Sequence, residues 1–393
     1  MAEAPSIRHR EFAGLNTQAD ASSLKNNELA VAVNVDVDDA KHLRGRAGLT
    51  RLGGTDVHSL FALGDALYYR TGTDLVRHDP VAGTAHVADT GLTGARTAYA
   101  GVLDRLFYSD GARARTMSDG EGARDWGVVP PPTPAVAAIA GGLLPGAYLV
   151  AATYLAGAEE SGAATPAQIQ LTEGGLRVSV PASAQSGVTA KVIYVSQPGG
   201  ERLYRVAVVA NDGAAVDVGT LIAGVELDGL HKTPPPPCHL AAVWNGRTVV
   251  GVSNFLLYSD PFRYERFDPL RQSIPLDSAI TLFAALGPEA FVVGTERAIY
   301  RFTGDITAAS MLKIADHGAI AGAATLADGA YVGDASQKLV AVFASPHGLC
   351  AVGAAGDVTN LTGKRYAPGP ATSGSAVYIP DAGNHRVLFT LQP

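Results

Sequence analysis

The chain has 393 residues, a formal net charge of -7 and 17% charged side chains, below the roughly 25% of an average soluble domain. That length allows two or three hydrophobic cores. The acidic balance argues against a protein built to grip nucleic acid or an anionic membrane, and no apolar run reaches the roughly 20 residues that span a bilayer.

The opening residues, Met1-Ala2-Glu3-Ala4-Pro5, lack the basic start and apolar core of a signal peptide, so assembly in a cytoplasm is the expectation. Residues 1–58 read as an arm ending in the first strands of a larger domain. Leu29, Val31, Val33, Val35 and Val37 alternate as on one face of a strand, and Asp36, Asp38 and Asp39 mark a turn before Leu43. A basic patch follows at Arg44, Arg46 and Arg51.

From Leu60 the pattern becomes short hairpins. Gly64-Asp65 separates two apolar runs, and Thr71-Gly72-Thr73 turns the chain again. A further unit runs from about Thr97 to Leu106-Phe107-Tyr108-Ser109-Asp110-Gly111. A charged loop then carries Arg113, Arg115, Asp119, Glu121 and Arg124 up to Trp126. Ser118–Trp126 superficially matches the aspartate-box turn of sialidase propellers, but Glu121 stands where that turn needs glycine, so an ordinary charged turn is expected.

Two proline runs, Pro130-Pro131-Pro132-Thr133-Pro134 and Pro234-Pro235-Pro236-Pro237, bracket the next segment. Consecutive prolines fix φ and remove donors, so neither run belongs inside a sheet. The segment of about 100 residues between them is the size of an immunoglobulin-like sandwich. Tyr148, Val150, Ala152 and Tyr154 share a face, as do Leu176, Val178 and Val180. Val192 and Tyr194, then Tyr204, Val206 and Val208, then Val216 and Val218, continue the two-residue period. No pair of sandwich cysteines occurs, which points to the fibronectin type III kind.

Beyond the second run Asn245-Gly246 between apolar stretches predicts a type I′ hairpin. Tyr258-Ser259-Asp260-Pro261 repeats the Tyr-Ser-Asp at 108–110 on the other side of the insert. Further units are expected at Ile280–Thr303, Ala324–Val332, Leu339–Val352 and Ala376–Leu391. Repeats of about 40 residues with several short strands each predict a propeller of about six blades. The fold class expected is therefore all-β: a β-propeller interrupted by an inserted immunoglobulin/fibronectin III-like β-sandwich. In chain order come the arm with the first propeller strands (1–58), the leading propeller portion (59–129), the insert (130–237) and the trailing propeller portion (238–393). Val377-Tyr378-Ile379 and Val387-Leu388-Phe389 supply the closing sheet, with an N-terminal strand.

The chemistry-bearing motifs are thin. Gly363-Lys364 lacks the surroundings of a phosphate loop, the ten histidines are scattered, and no serine sits in a nucleophile elbow. No catalytic residue, metal site or cofactor is predicted, and the expectation is a protein that is not an enzyme. Cys238 and Cys350 are read as two buried reduced thiols.

Phe12-Ala13-Gly14-Leu15-Asn16, the run to Asn34-Val35, and Leu43-Arg44-Gly45-Arg46-Ala47-Gly48-Leu49 resemble the opening of tailed-bacteriophage tail-nozzle proteins, also called tail tubular or packaged-DNA stabilisation proteins. Tyr258-Ser259-Asp260-Pro261 with Glu265-Arg266-Phe267 is similar to a segment of the same family. The resemblance covers the first 55 residues and 238–305, leaving out the insert. It implies a virion structural protein of the tail in a six-membered ring below the head-to-tail adaptor, near tail fibre or spike proteins. Double-stranded DNA would pass through without sequence recognition. It assigns Phe12, Asn16, Asn34, Arg44, Arg46 and Arg51 to a subunit or adaptor interface, with a solvated basic turn as the plainer reading of the arginines. Asp110, Arg113, Arg115 and Asp260 are candidate propeller-loop contacts, although an Asp-headed turn explains the Tyr-Ser-Asp pair more simply. The alternative function is a carbohydrate-binding or glycan-cleaving propeller acting as a host-receptor adhesin.

Overall fold

A computed structural model describes residues 11–37, 40–46, 48, 54, 56–221, 224–332, 339–381 and 384–393. The fold is all-β: among the described residues the only helical pieces are three single 3-10 turns, at Ala21–Ser23, Ile306–Ala308 and Gly329–Tyr331. Strands join into many small antiparallel sheets, and the chain divides into two compact units, residues 56–275 and residues 1–55 with 276–393.

The unit of residues 56–275 is built on three meanders. Meander I comprises Val57–Leu63, Ala66–Thr71, Asp74–Asp79 and Thr84–Asp89. Meander II comprises Ala98–Val102, Arg105–Ser109, Ala114–Ser118 and Arg124–Asp125. Meander III comprises Leu240–Trp244, Arg247–Val252, Phe255–Asp260 and Arg263–Phe267, with Ser273–Pro275 also on its third strand. The turns follow their chemistry. Gly64 (φ 57°) closes a two-residue loop with Leu63 opposite Ala66, and Asn245 (φ 47°) with Gly246 (φ 71°) closes Trp244 onto Arg247. Both are positions where the strand twist demands positive φ.

The meanders stack face to face. Tyr68 and Leu75 of meander I share a core with Tyr99, Leu106, Tyr108 and Met117 of meander II. The opposite face of meander II supplies Ala98, Ala100 and Phe107 to a second core, with Trp126, Cys238, and Val250, Leu257 and Phe267 of meander III. Sequence before the insert and sequence after it therefore close on one another. The Trp126 indole donates to the Tyr264 carbonyl (2.9 Å), and Cys238 N–H donates to Ser109 Oγ (2.9 Å).

The insert is a two-sheet sandwich. One sheet orders Ala135–Leu143, Gly174–Ser179 and Val216–Val218; the other orders Ala167–Leu171, Gly146–Ala156, Ala190–Ser196 and Leu203–Ala210. Tyr148, Val150, Ala152 and Tyr154 meet Leu176, Val178 and Val180 in its core, as their alternation predicts. Val192 and Tyr194 do not: they lie in a separate cluster with Ala151, Ala163 and Leu203, while Ile193 and Val195 face the sandwich core. Strand Ala190–Ser196 is buried on both faces, so its alternation carries no face information. Omitting the two-residue Glu159–Glu160 strand, the sheets hold the first, fourth and seventh strands and the third, second, fifth and sixth. An immunoglobulin constant domain instead groups its strands A-B-E-D and C-F-G.

In the other unit the N-terminal segment forms two small sheets: Gly14–Leu15 runs parallel to Glu28–Leu29, and Val35–Val37 antiparallel to Leu43–Gly45. The valine alternation breaks, because residues 30–34 lie outside any strand and Asn34 adopts φ 52°. Val31 and Val33 are 73% and 71% exposed. Meander IV (Ile280–Ala285, Phe291–Thr295, Ile299–Thr303, Ser310–Ala315) and meander V (Ala324–Ala327, Val340–Ser345, Gly348–Gly353, Val358–Asn360) share a core through Leu282, Val292, Phe343 and Val352. The stretches 324–332 and 339–352, expected as separate units, thus contribute to one sheet. Tyr378, Val387 and Phe389 of the hairpin Ser373–Asp381/Asn384–Gln392 pack on the far side of meander V. Val377 opposes Leu388 there as expected, but among the described residues no strand of the arm joins this hairpin.

Candidate functional site

The most developed polar constellation is the joint where the insert meets meanders II and III. The insert's Tyr154–Glu160 hairpin ends in two glutamates. Glu159 lies between two arginines of meander II: Arg124 donates to it at 2.6 and 3.1 Å, and Arg105 donates to Oε1. The Arg105 guanidinium also covers the Phe107 ring, 4.6 Å from its centroid. Burial pushes the Glu159 carboxyl up, but the Arg124 hydrogen bond and the two positive charges outweigh it and hold it below the usual glutamate range. Glu160 Oε1 accepts from Thr153 Oγ1 (2.5 Å) and from the Tyr194 hydroxyl (2.7 Å). Its carbonyl accepts from Arg266 of meander III at 3.1 and 3.2 Å, while Arg266 also pairs with Asp228 (2.6 Å).

Beside this network Glu265 is 7% exposed, and burial followed by the neighbouring Glu159 charge raises its carboxyl pKa. On the other side Gln185 of the insert donates to the Gly127 carbonyl (2.8 Å) and accepts from Val129 N–H (2.9 Å). A cavity of about 500 Å³ lined by Arg105, Arg124, Glu159 and Gln185 opens at the joint. A second cleft, of about 380 Å³, lies under the turns that carry Leu103 and Phe262, with Arg105, Glu159, Tyr264 and Glu265 along it.

The residues singled out from sequence are distributed as follows. Phe12 is half-buried and its N–H donates to the Lys41 carbonyl (2.9 Å). Asn16 is buried, its Oδ1 accepting from Gln18 and Ala19 N–H (3.2 Å each), and Asn34 accepts from Arg46 N–H through its carbonyl. Arg44 is exposed on its short strand. Arg46 grips Asp36 Oδ1 (2.8 and 3.0 Å), whose other oxygen takes Arg386 (3.1 Å). Arg51 lies outside the described residues. The arm is anchored further by Arg365, which donates to the Ala13 carbonyl (3.0 Å) and faces Glu28.

The two Tyr-Ser-Asp copies occupy different places. Tyr108-Ser109 ends the second strand of meander II, whereas Tyr258-Ser259-Asp260 ends the third strand of meander III. Asp110 heads a turn: Oδ1 accepts from Ala112 and Arg113 N–H, and Oδ2 from Thr93 N–H (2.6 Å). Burial pushes its carboxyl up, and these backbone bonds more than reverse the effect. Asp260 instead takes Lys232 (2.8 Å) and Gln272 (2.7 Å), joining the exit of the insert to meander III. Arg115 is paired with Asp89 at 2.6 and 2.8 Å, and Arg113 is exposed beside Gly91.

Sequence reasoning missed the joint. Glu159-Glu160 reads as a charged turn tip, and no spacing in the linear chain links it to Arg105, Arg124 and Arg266. Both cysteines are free and buried, and burial pushes the Cys238 thiol up to about 12. Among the described residues no three His, Cys, Asp or Glu side chains are grouped to hold a metal, and no helix is long and apolar enough to cross a membrane.

No family model matches this chain. No curated protein matches it either. Solved structures share its general texture. The chain is similar to apo AztD from Citrobacter koseri at 12% identity and a TM-score of 0.34, over 84% of this chain and 78% of that one. The extracellular domain of BT4673 from B. thetaiotaomicron gives 10% identity and 0.27 over 88% and 60%. Dipeptidyl peptidase 4 of Porphyromonas gingivalis gives 10% identity and 0.27 over 82% and 45%.

Proposed function

We propose that this protein is a structural, non-enzymatic subunit of a bacteriophage tail, a nozzle or hub component, whose meanders belong to a propeller carrying the two-sheet sandwich as an insert. In this reading identical subunits, six by the resemblance, form a ring beneath the head-to-tail adaptor. The packaged duplex passes through the ring without being read. The motifs at Phe12–Asn16, Leu43–Gly48 and Tyr258–Pro261 support it.

The observation that carries the assembly claim is the arm. Its two-stranded sheets are too small to bury a core of their own, and Val31 and Val33 stand exposed beside it. Exposed valines on a segment with no packed core of its own fit a chain waiting for a neighbour. A net charge of -7 suits a conduit that must let DNA slide, since every added cation contact would strengthen sticking.

The test is co-assembly. Purified protein mixed with the portal–adaptor complex of its own phage should give rings in negative-stain images. Subunits that stay monomeric alone and with every virion component would overturn the reading.

A further inference from the structure

The turns at Val102–Arg105 and Asp260–Arg263 carry large apolar side chains where turn chemistry calls for glycine or asparagine. Leu103 has φ 54° and is 91% exposed; Phe262 has φ 56° and is 75% exposed. Phe262 follows Pro261, the arrangement in which a type II turn ordinarily places glycine. A left-handed phenylalanine strains its backbone, and exposing its ring to water offsets none of that strain. Such an outlier points to use rather than to stability.

The ring is also held. It lies against Gly246 of the neighbouring hairpin so closely that a Cβ at 246 would meet its carbons at 2.8 to 3.3 Å. The glycine thus serves two ends, the type I′ turn and the seat of the ring. Phe262 N–H donates to the Gly246 carbonyl at 2.7 Å, fixing the two turns together. The aromatic is therefore supported from beneath and open above.

Leu103 and Phe262 share one cleft of about 380 Å³, with Tyr264, Arg105, Glu159 and Glu265 along it. Its charges offset each other: Asp104, Glu159 and Glu265 stand against Arg105 and Arg263, with Arg124 on the far side of Glu159. A phosphate or nucleotide would find no surplus of cations, and a basic peptide no free field of carboxylates. A flat aromatic beside directional donors and acceptors of balanced charge suits a neutral polyol ring, whose C–H face stacks while its hydroxyls bond sideways.

We propose that this cleft is a binding site for a neutral hexose unit of a glycan, with Phe262 as stacking platform and Leu103 as the opposite apolar rim. Arg105 and the glutamates then bond the ring hydroxyls. The proposal gives residues to the carbohydrate alternative and does not rest on the tail assignment, so either survives failure of the other.

Saturation-transfer NMR on the full chain tests it, with the methyl glycosides of glucose, galactose, mannose and N-acetylglucosamine as probes. At least one should show transfer, localised to its C–H face. Phe262→Ala should weaken that glycoside roughly tenfold or more while circular dichroism stays unchanged, and Phe262→Trp should restore it. Absence of transfer from all four glycosides at tens of millimolar, or binding that Phe262→Ala leaves unchanged, overturns the assignment.

Discussion

Lys191 is fully buried in the insert, and its ammonium is held by three carbonyls, Val180 and Ala214 at 3.1 Å and Asp212 at 2.6 Å. A charged group so enclosed is tolerated because every proton has an acceptor. Replacing it by methionine keeps the stem but orphans three acceptors. Lys191→Met should therefore cost about 3 kcal/mol in urea denaturation, a loss localised to the insert. Glu265 works in the opposite sense. Its folded carboxyl pKa is raised above the ordinary 4.5, so its stabilising share is complete below that value and is lost as pH rises through the folded one. Glu265→Gln should accordingly raise the denaturation midpoint at pH 7 and leave it unchanged near pH 4. At this scale the sequence is least readable: nothing local marks Lys191 or Glu265 as buried, because their neighbours come from distant segments, as Glu159 does for Glu265.

Elements are easier to read. Gly64-Asp65 and Asn245-Gly246 state their hairpins because positive φ is a local demand, met by local residues. The insert's second strand is equally plain, since Tyr148, Val150, Ala152 and Tyr154 share the face turned to the sandwich core. Where both faces are covered, as at Val192–Val195, period-two reasoning has nothing to work on. The alternation at 29–37 misleads for the converse reason: Leu29 and Val35–Val37 pair in small sheets, but Val31 and Val33 between them have no sheet to receive them. The Glu159–Glu160 hairpin is the element that ties insert to meanders. Glu159→Gln leaves Arg105 and Arg124 facing a neutral amide. With Arg124 still about a third exposed, the penalty should be on the order of 2 kcal/mol rather than the full cost of a buried broken pair. Limited proteolysis should then cleave first near the proline runs, and Glu159→Asp should restore some of the protection.

For the molecule as a whole, the sandwich strands, from Ala135 to Val218, lie between the proline runs, and the core shared by Trp126, Cys238 and Phe267 brings the flanking sequences together. The two-unit division at 55/56 and 275/276 has no mark in composition, since meanders III and IV follow one another with the same texture. If the arm is an assembly element, Val31→Asp with Val33→Asp should leave the thermal midpoint within about 1 °C, as exposed surface changes do, yet abolish any higher oligomer in light scattering.

The geometry of the insert's attachment has an evolutionary side. Chain enters at Gly127 and leaves at Pro234 within van der Waals reach, a Cβ on the former meeting the latter's at 3.4 Å. The sandwich is thus joined through two adjacent chain crossings, a stalk flanked by the Glu159 and Arg266 contacts. Excising it uncovers Arg105, Arg124 and Arg266 at once, turning a neutralised seam into a cationic footprint. A stripped protein should bind heparin resin that the intact chain ignores, so any replacement module must bring its own acids to the stalk.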